Sequence, residues 1–298
     1  MTPTVKEIFH PEYGKCVYVI AGPVTALVTI DKGPRILSYS FTEQENILYT
    51  EPKPKQEGVF HPLGGHRITI SPEQEASYYP DNEPVTYTVS EDGVEFTAPR
   101  RRESGLQLSM ELLFNEHTAD MMAVHTLKNH SKERVHVGLW SITMLLPGGT
   151  LLLPQNIAPA DTSAPNRVFA FWPGSSPQDH RLHLGENDQY IRLDAQCENR
   201  PLSLGINNQP GWAAYVLGKN TLLQRYVHSE GVWYPNHGCS FRASITGNCL
   251  QLETFSPLYW VEPGNTIRHA ENYSLFQTPE NAGFTDEAEI HGFLENLK

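Results

Sequence analysis

Four short stretches of this 298-residue chain hold side chains able to do chemistry. The first is Gly64-Gly65-His66-Arg67, followed by Pro72-Glu73 and by Ser77-Tyr78-Tyr79-Pro80-Asp81-Asn82. Two glycines ahead of a His-Arg pair allow a ligand to approach the backbone closely. Arg67 offers a fixed fork of donors, and Tyr78 and Tyr79 each offer an aromatic face with a hydroxyl. That combination suits sugar hydroxyls. The competing expectation is a polar loop with Arg67 and Glu73 in a structural ion pair.

The second stretch is Gly205-Ile206-Asn207-Asn208-Gln209-Pro210-Gly211-Trp212. Its amides can donate to and accept from hydroxyls, and Trp212 can stack under a pyranose. An Asn/Pro/Gly turn with Trp212 in the core is the alternative. The third runs from Arg225-Tyr226-Val227-His228 to Trp233-Tyr234-Pro235-Asn236-His237-Gly238-Cys239. If residues 212–217 and 221–227 form a hairpin, alternation sets Gln224, Tyr226 and His228 on one face and Arg225 and Val227 on the other. Arg225 and His228 then share a cleft only if the strand bulges or ends. The fourth is Leu250-Gln251-Leu252-Glu253-Thr254-Phe255-Ser256-Pro257, where Gln251, Glu253 and Phe255 share a strand face. A carboxylate among such neighbours is costly to bury unless it is paired or functional, so Glu253 is the expected acid–base group.

Thirteen histidines invite a metal reading. No HxH or HExxH pair occurs, and His125, His130 and His136 fit scattered surface or strand positions better than a zinc site. No metal is expected. A GxSxG elbow, a P-loop and a GxGxxG after a strand are all missing, so no cofactor is expected either.

The elements that must position these residues read as β almost throughout. About seventeen short runs rich in Val, Ile, Leu, Tyr and Thr alternate with turn residues, from Cys16–Ala21 to Asn272–Phe276. Asp92-Gly93, Gly218-Lys219-Asn220 and Gly247-Asn248 mark hairpin turns. A helix is expected over 285–297, with Thr285 as N-cap and Ile290, Phe293, Leu294 and Leu297 at helical spacing. Residues 51–58 and 156–166 read as surface loops. Strand–helix–strand alternation and repeats are not seen. So many strands suit two large antiparallel sheets packed face to face, an all-β sandwich in one domain over 1–298.

The net charge is −12, from 22 basic and 34 acidic side chains. Nucleic acid and anionic membranes call for a basic surface and are not expected partners. Local arginines still leave room for an anionic sugar. The first residues show no secretory pattern, no apolar run is long enough to span a bilayer, and the four cysteines have no metal-type spacing. A cytoplasmic protein with reduced thiols is the expectation, a Cys239–Cys249 bridge the alternative.

Taken in order, the motifs resemble a known family. They are Gly64-Gly65-His66-Arg67 with Pro72-Glu73, Tyr78-Tyr79-Pro80-Asp81-Asn82, Leu145-Leu146-Pro147-Gly148-Gly149 and Asn207-Asn208 with Gly211-Trp212-Ala213-Ala214-Tyr215. Tyr234-Pro235-Asn236 with Gly238-Cys239-Ser240, Leu252-Glu253-Thr254 with Ser256-Pro257, Glu262-Pro263-Gly264 and Glu271 before Tyr273-Ser274-Leu275 complete them. Over about residues 15–277 the chain resembles the DUF4380 family, similar in turn to the aldose 1-epimerases and hexose-6-phosphate epimerases of the galactose-mutarotase-like superfamily. The resemblance implies a large mutarotase-type sandwich and a small-molecule carbohydrate ligand. It makes Glu253 the counterpart of the mutarotase general base and Arg67 the counterpart of the arginine that holds sugar hydroxyls. The strand that carries the mutarotase general acid reads Gly138-Leu139-Trp140-Ser141-Ile142-Thr143 here, without the histidine.

Three functions follow as expectations. An aldose epimerase would use Glu253 as base, His66, His228 or His237 as acid, and Arg67, Glu73, Tyr78, Tyr79, Asn207, Trp212, Arg225, Asn236 and His237 as ligand contacts. A non-catalytic sugar-binding or sensing protein would need the cleft without a second titratable group. A polysaccharide lyase or hydrolase would use Tyr78 or Tyr79 beside Arg67 in a long groove.

Overall fold

The computed structural model describes residues 2–51, 60–157 and 165–297. Two antiparallel sheets face each other. The first runs β1 (Thr4–His10), β2 (Gly14–Ala21), β3 (Val24–Thr29), β4 (Ile36–Phe41), β5 (His66–Ser71), β10 (Val135–Leu145), β19 (Cys249–Phe255), β18 (Phe241–Thr246), β15 (Leu202–Ile206) and β12 (Phe169–Phe171). β20 (Tyr259–Val261) also pairs with β10. The second runs β13 (Leu182–Leu184), β14 (Tyr190–Asp194), β11 (Thr150–Pro154), β16 (Trp212–Leu217), β17 (Asn220–Tyr226), β21 (Thr266–Gln277), β9 (Asp120–Asn129), β8 (Leu106–Phe114), β7 (Gly93–Thr97) and β6 (Thr86–Val89). The expected all-β sandwich is what forms. Four strands escaped the sequence pattern: β1 is mostly exposed, β13 and β20 have three residues each, and β5 begins inside the Gly-Gly-His-Arg motif.

The facing sides of the sheets carry the core. Val17, Val28, Ile36, Leu204, Leu250 and Leu252 of the first sheet pack with Phe96, Met110, Leu151, Tyr215 and Leu222 of the second. A second apolar cluster gathers Ile68, Ile70, Val137 and Leu139 with Leu106, Leu108 and Leu127. Between the two lies a polar belt. On the inward face of β10 the order is Val137, Leu139, then Ser141 and Thr143, then Leu145. On β9 the order is Leu127, His125, Ala123, and on β21 it is Ile267, His269, Glu271, Tyr273.

The outer faces differ. The C-terminal helix, Glu287–Glu295, lays Ile290 and Phe293, with Leu297 just beyond its end, on Leu152, Ala214, Val216 and Leu223, closing the back of the second sheet. Its N-cap is Asp286, which accepts from the Glu289 amide, rather than the expected Thr285; Thr285 instead donates its hydroxyl to Glu289. The short side chain of either residue can cap, and Asp286, in extended backbone, is the one whose carboxylate reaches the Glu289 amide. All four cysteines are free thiols, so no Cys239–Cys249 bridge forms. The expected loops over 51–58 and 156–166 fall largely outside the described residues.

Candidate functional site

The outer face of the first sheet holds the candidate site. Strand alternation fixes its floor. Arg67 stands opposite Ile142 and Thr69 opposite Trp140, so these four share one face of the β5–β10 pair. Across β10, Ile142 stands opposite Glu253, which stands opposite Arg242 on β18. Phe60, Pro62 and Tyr78 form one wall and the Gly247-Asn248 turn the other, around a cleft of about 390 Å³. That volume lies in the range that holds small-molecule ligands.

Glu253 is fully buried beneath this floor and tightly held. Arg242 Nε donates to Oε1 at 2.8 Å, Arg242 NH2 lies 2.5 Å from Oε2, and Trp140 Nε1 donates to Oε2 at 2.8 Å. Burial raises the Glu253 carboxyl above its ordinary value, against the pull of Arg242 and Trp140. The Arg242 guanidinium also lies over the rings of Trp140 and Trp172, at 5.2 and 4.7 Å from their centroids. Its NH1 reaches Glu73 at 3.6 Å, and Glu73 accepts from the Tyr78 hydroxyl. Burial pushes the Tyr78 phenol up to about 12, with Glu73 adding to the shift.

Arg67 differs from Arg242 in having no carboxylate in hydrogen-bond reach among the described residues. Its NH2 donates to the Ser77 carbonyl at 3.1 Å and its guanidinium covers the Phe60 ring at 4.3 Å. Its Nε is buried with no hydrogen-bond partner among the described residues. Burial lowers its affinity for the proton, to a pKa of about 9, yet leaves it charged at neutral pH. A buried guanidinium with an unused donor on a cleft floor is a group with binding capacity to spare.

The structure brings Glu253, Arg67, Glu73 and Tyr78 together. His228 lies close by: its Nδ1 is 2.8 Å from Ser240 Oγ and its ring stacks on Tyr234, which packs with Trp140 and Phe255. Asn236 and His237 sit in the turn after Tyr234, both with left-handed backbone (φ 55° and 62°), which non-glycine residues adopt at a cost.

The remaining candidates lie elsewhere. His66 immediately precedes Arg67 on β5 and so points the opposite way, into the polar belt between the sheets, where Glu253 is out of its reach. Gly64 and Gly65 press against the backbone of Tyr49, Thr50 and Ile36 rather than a ligand. Tyr79 lies under Arg101, beside the Arg35–Asp81 ion pair. Asn207 is a loop clamp, bonded to the Val168 amide and the Asn166 carbonyl. Trp212 and Arg225 stand opposite each other on the outer face of the second sheet, where Trp212 packs among the residues under the helix. The strand alternation expected for Gln224, Tyr226 and Arg225 is present, and His228 lies beyond the strand's end.

The sequence motifs do not mark Arg242 and Trp140 as binding groups. A signal existed for Arg242: counting outward from the Thr246–Cys249 pair that closes the hairpin sets it opposite Glu253. A second concavity of about 440 Å³ lies beside the C-terminal helix. Two of its charged groups are already engaged: Glu287 accepts from the Asn187 and Gln189 amides, and Arg192 donates to the Phe284 carbonyl.

No family model matches the chain, and no curated protein matches it. Solved structures do. A candidate aldose 1-epimerase from Escherichia coli K12 is similar over 92% of this chain and 99% of its own, with 12% identity and a TM-score of 0.59. A galactose mutarotase-like protein from Lactobacillus casei is similar over 92% and 100%, with 10% identity and a TM-score of 0.58. A TPR-domain containing protein from Parabacteroides distasonis is similar over 90% of this chain and 48% of its own, with 13% identity and a TM-score of 0.62. The chain has the galactose-mutarotase-like fold. Among the described residues, no helix is long and apolar enough to cross a membrane.

Proposed function

We propose that the chain binds a carbohydrate of monosaccharide size in the cleft on the outer face of the first sheet. The observation that carries this reading is Arg67: a buried, charged guanidinium with an unpartnered Nε beside the Trp140 and Tyr78 rings. Aromatic faces suit the apolar side of a pyranose, and a guanidinium suits hydroxyls or an anionic substituent. The ordered motifs support placing the chain in the DUF4380 family, and the fold supports a mutarotase-type ligand. Four free thiols accord with a cytoplasmic setting.

Anomer exchange is the second reading, favoured by the raised carboxyl of Glu253. In that reaction a base takes the O1 proton while an acid protonates the ring oxygen, so the C1–O5 bond opens and recloses. With both Glu253 oxygens bonded to Arg242 or Trp140, proton transfer requires Arg242 to move first. Binding therefore stands ahead of catalysis.

The test is ligand-observed NMR on a panel of monosaccharides, uronic acids and sugar phosphates, followed by magnetisation exchange between anomers. A binder is expected, weakened about 10-fold or more by Arg67→Met, since hydrogen bonds to charged groups contribute about 1.5–3 kcal/mol. If no panel member binds, or Arg67→Met binds equally well, the reading fails. Faster anomer exchange that Glu253→Gln abolishes would move the protein from binder to epimerase.

A further inference from the structure

The polar belt between the sheets contains a cluster that the cleft does not use. His66 Nε2 lies 3.1 Å from His125 Nε2, His125 Nε2 lies 3.0 Å from Glu271 Oε2, and His66 Nε2 lies 3.9 Å from the same oxygen. All three residues are buried, on β5 of one sheet and on β9 and β21 of the other. We infer that His66, His125 and Glu271 form a divalent transition-metal site, best matched to zinc, that ties the two sheets together.

Three observations carry the inference. The first is charge. Glu271 is fully buried, and among the described residues its only ion-pair partners are His66 and His125. No Arg or Lys among the described residues neutralises it, whereas Glu253, equally buried, has Arg242. A buried carboxylate with hydrogen bonds but no fixed positive partner is still costly, and a bound cation offsets that cost.

The second is geometry. Tetrahedral zinc with nitrogen ligands at 2.0–2.1 Å and oxygen ligands at 2.0–2.2 Å sets its ligand atoms roughly 3.3–3.5 Å apart. The three observed separations bracket that edge. Two imidazole Nε2 atoms face each other and one carboxylate oxygen, an arrangement in which at most two of the three contacts carry a hydrogen in the neutral state.

The third is the surrounding shell. His66 Nδ1 lies 2.9 Å from Thr143 Oγ1 and 3.1 Å from the Tyr273 hydroxyl, which leaves Nε2 free to ligate. The other Glu271 oxygen accepts from Gln224 and Thr254, each at 2.7 Å. Such outer bonds orient His66 and Glu271 as they do metal ligands, while His125 Nδ1 is buried without a partner among the described residues. Ser141 Oγ donates to Glu271 Oε2 at 2.5 Å and so orients that oxygen. Imidazole and carboxylate together suit zinc, and three protein ligands leave its fourth position to a water. The cluster lies on the opposite face of the first sheet from the cleft, so the inference does not depend on sugar binding. His125 lies on a strand, as expected, and the inference adds a ligand role to that position.

The experiment uses the full chain without a histidine tag, grown with added zinc and purified without chelator. Elemental analysis should find one ion per chain, and exchange for Co2+ should give a tetrahedral visible spectrum. Glu271→Gln and His125→Asn should each lose the ion, and Thr143→Val should weaken affinity roughly 10–100-fold. A zinc content at background level overturns the inference. So does an ion that both ligand variants retain, because it then binds elsewhere. If those variants do not fold, X-ray absorption on the wild type decides, and any ligand set other than two imidazoles and a carboxylate oxygen rejects the site.

Discussion

Glu253 and Arg242 show how much a single pair can decide. Both are buried, and each satisfies the other through two contacts. Removing one partner of such a pair leaves a stranded charge, which costs about 3–5 kcal/mol. Arg242→Met should therefore lower the stability of the chain by that amount in urea titration. Adding Glu253→Gln to it should recover most of the loss, because the stranded charge is gone. A double variant as unstable as the single one would show that packing over Trp140 and Trp172, not charge, is what Arg242 supplies. This pair was half legible in the sequence. Glu253 stood out as an acid in an apolar strand, and its partner follows from the hairpin register. The burial of both Glu253 oxygens was not legible, because it depends on Trp140 from a strand more than a hundred residues away.

At the scale of elements, the Gly-Gly-His-Arg motif turned out to be the entry to a strand. Gly65 has φ 66°, and its amide donates to the Tyr49 carbonyl. A β-carbon there would sit 1.9 Å from the Ile36 carbonyl oxygen. The glycine lets β5 start against β4, and the alternation that follows sends His66 inward and Arg67 outward. Gly65→Ala should disturb both sites at once, lowering the melting temperature and weakening the proposed sugar and metal binding together. Unchanged stability in that variant would refute this role for the glycine. The sequence showed the motif's importance but not its conformation, since two adjacent glycines serve a ligand loop and a crowded turn equally well. The same limit applies to Tyr78 and Tyr79: adjacent in sequence, one lines the cleft and the other packs on Arg101.

At the scale of the molecule, the sheets hold apolar, polar and apolar zones in succession, and acid should attack the middle one. Burial pushes His66 down to about 3 and His269 to about 4, so both are neutral in the folded chain near neutral pH. An unfolded histidine titrates near 6.5. Below that value the unfolded chain binds more protons than the folded one, and stability falls as pH falls, by roughly 1.4 kcal/mol per unit for each histidine. Urea midpoints measured with chelator present should drop steadily from pH 6.5 to pH 4.5, and His269→Gln should flatten the slope by about one proton. A flat profile would mean that these imidazoles are charged in the fold. Two packed antiparallel sheets were legible from strand periodicity alone. The belt was not, because His66, Ser141, Thr254 and Glu271 meet only when the sheets close, and each looks like an isolated polar interruption in its own strand.

The helix that covers the back of the second sheet leaves the molecule with two unlike sides. A tether joined beyond that helix emerges behind the second sheet, while the cleft opens from the first. Anchoring the protein to a bead or sensor through its C-terminal end would present the cleft outward, toward solution.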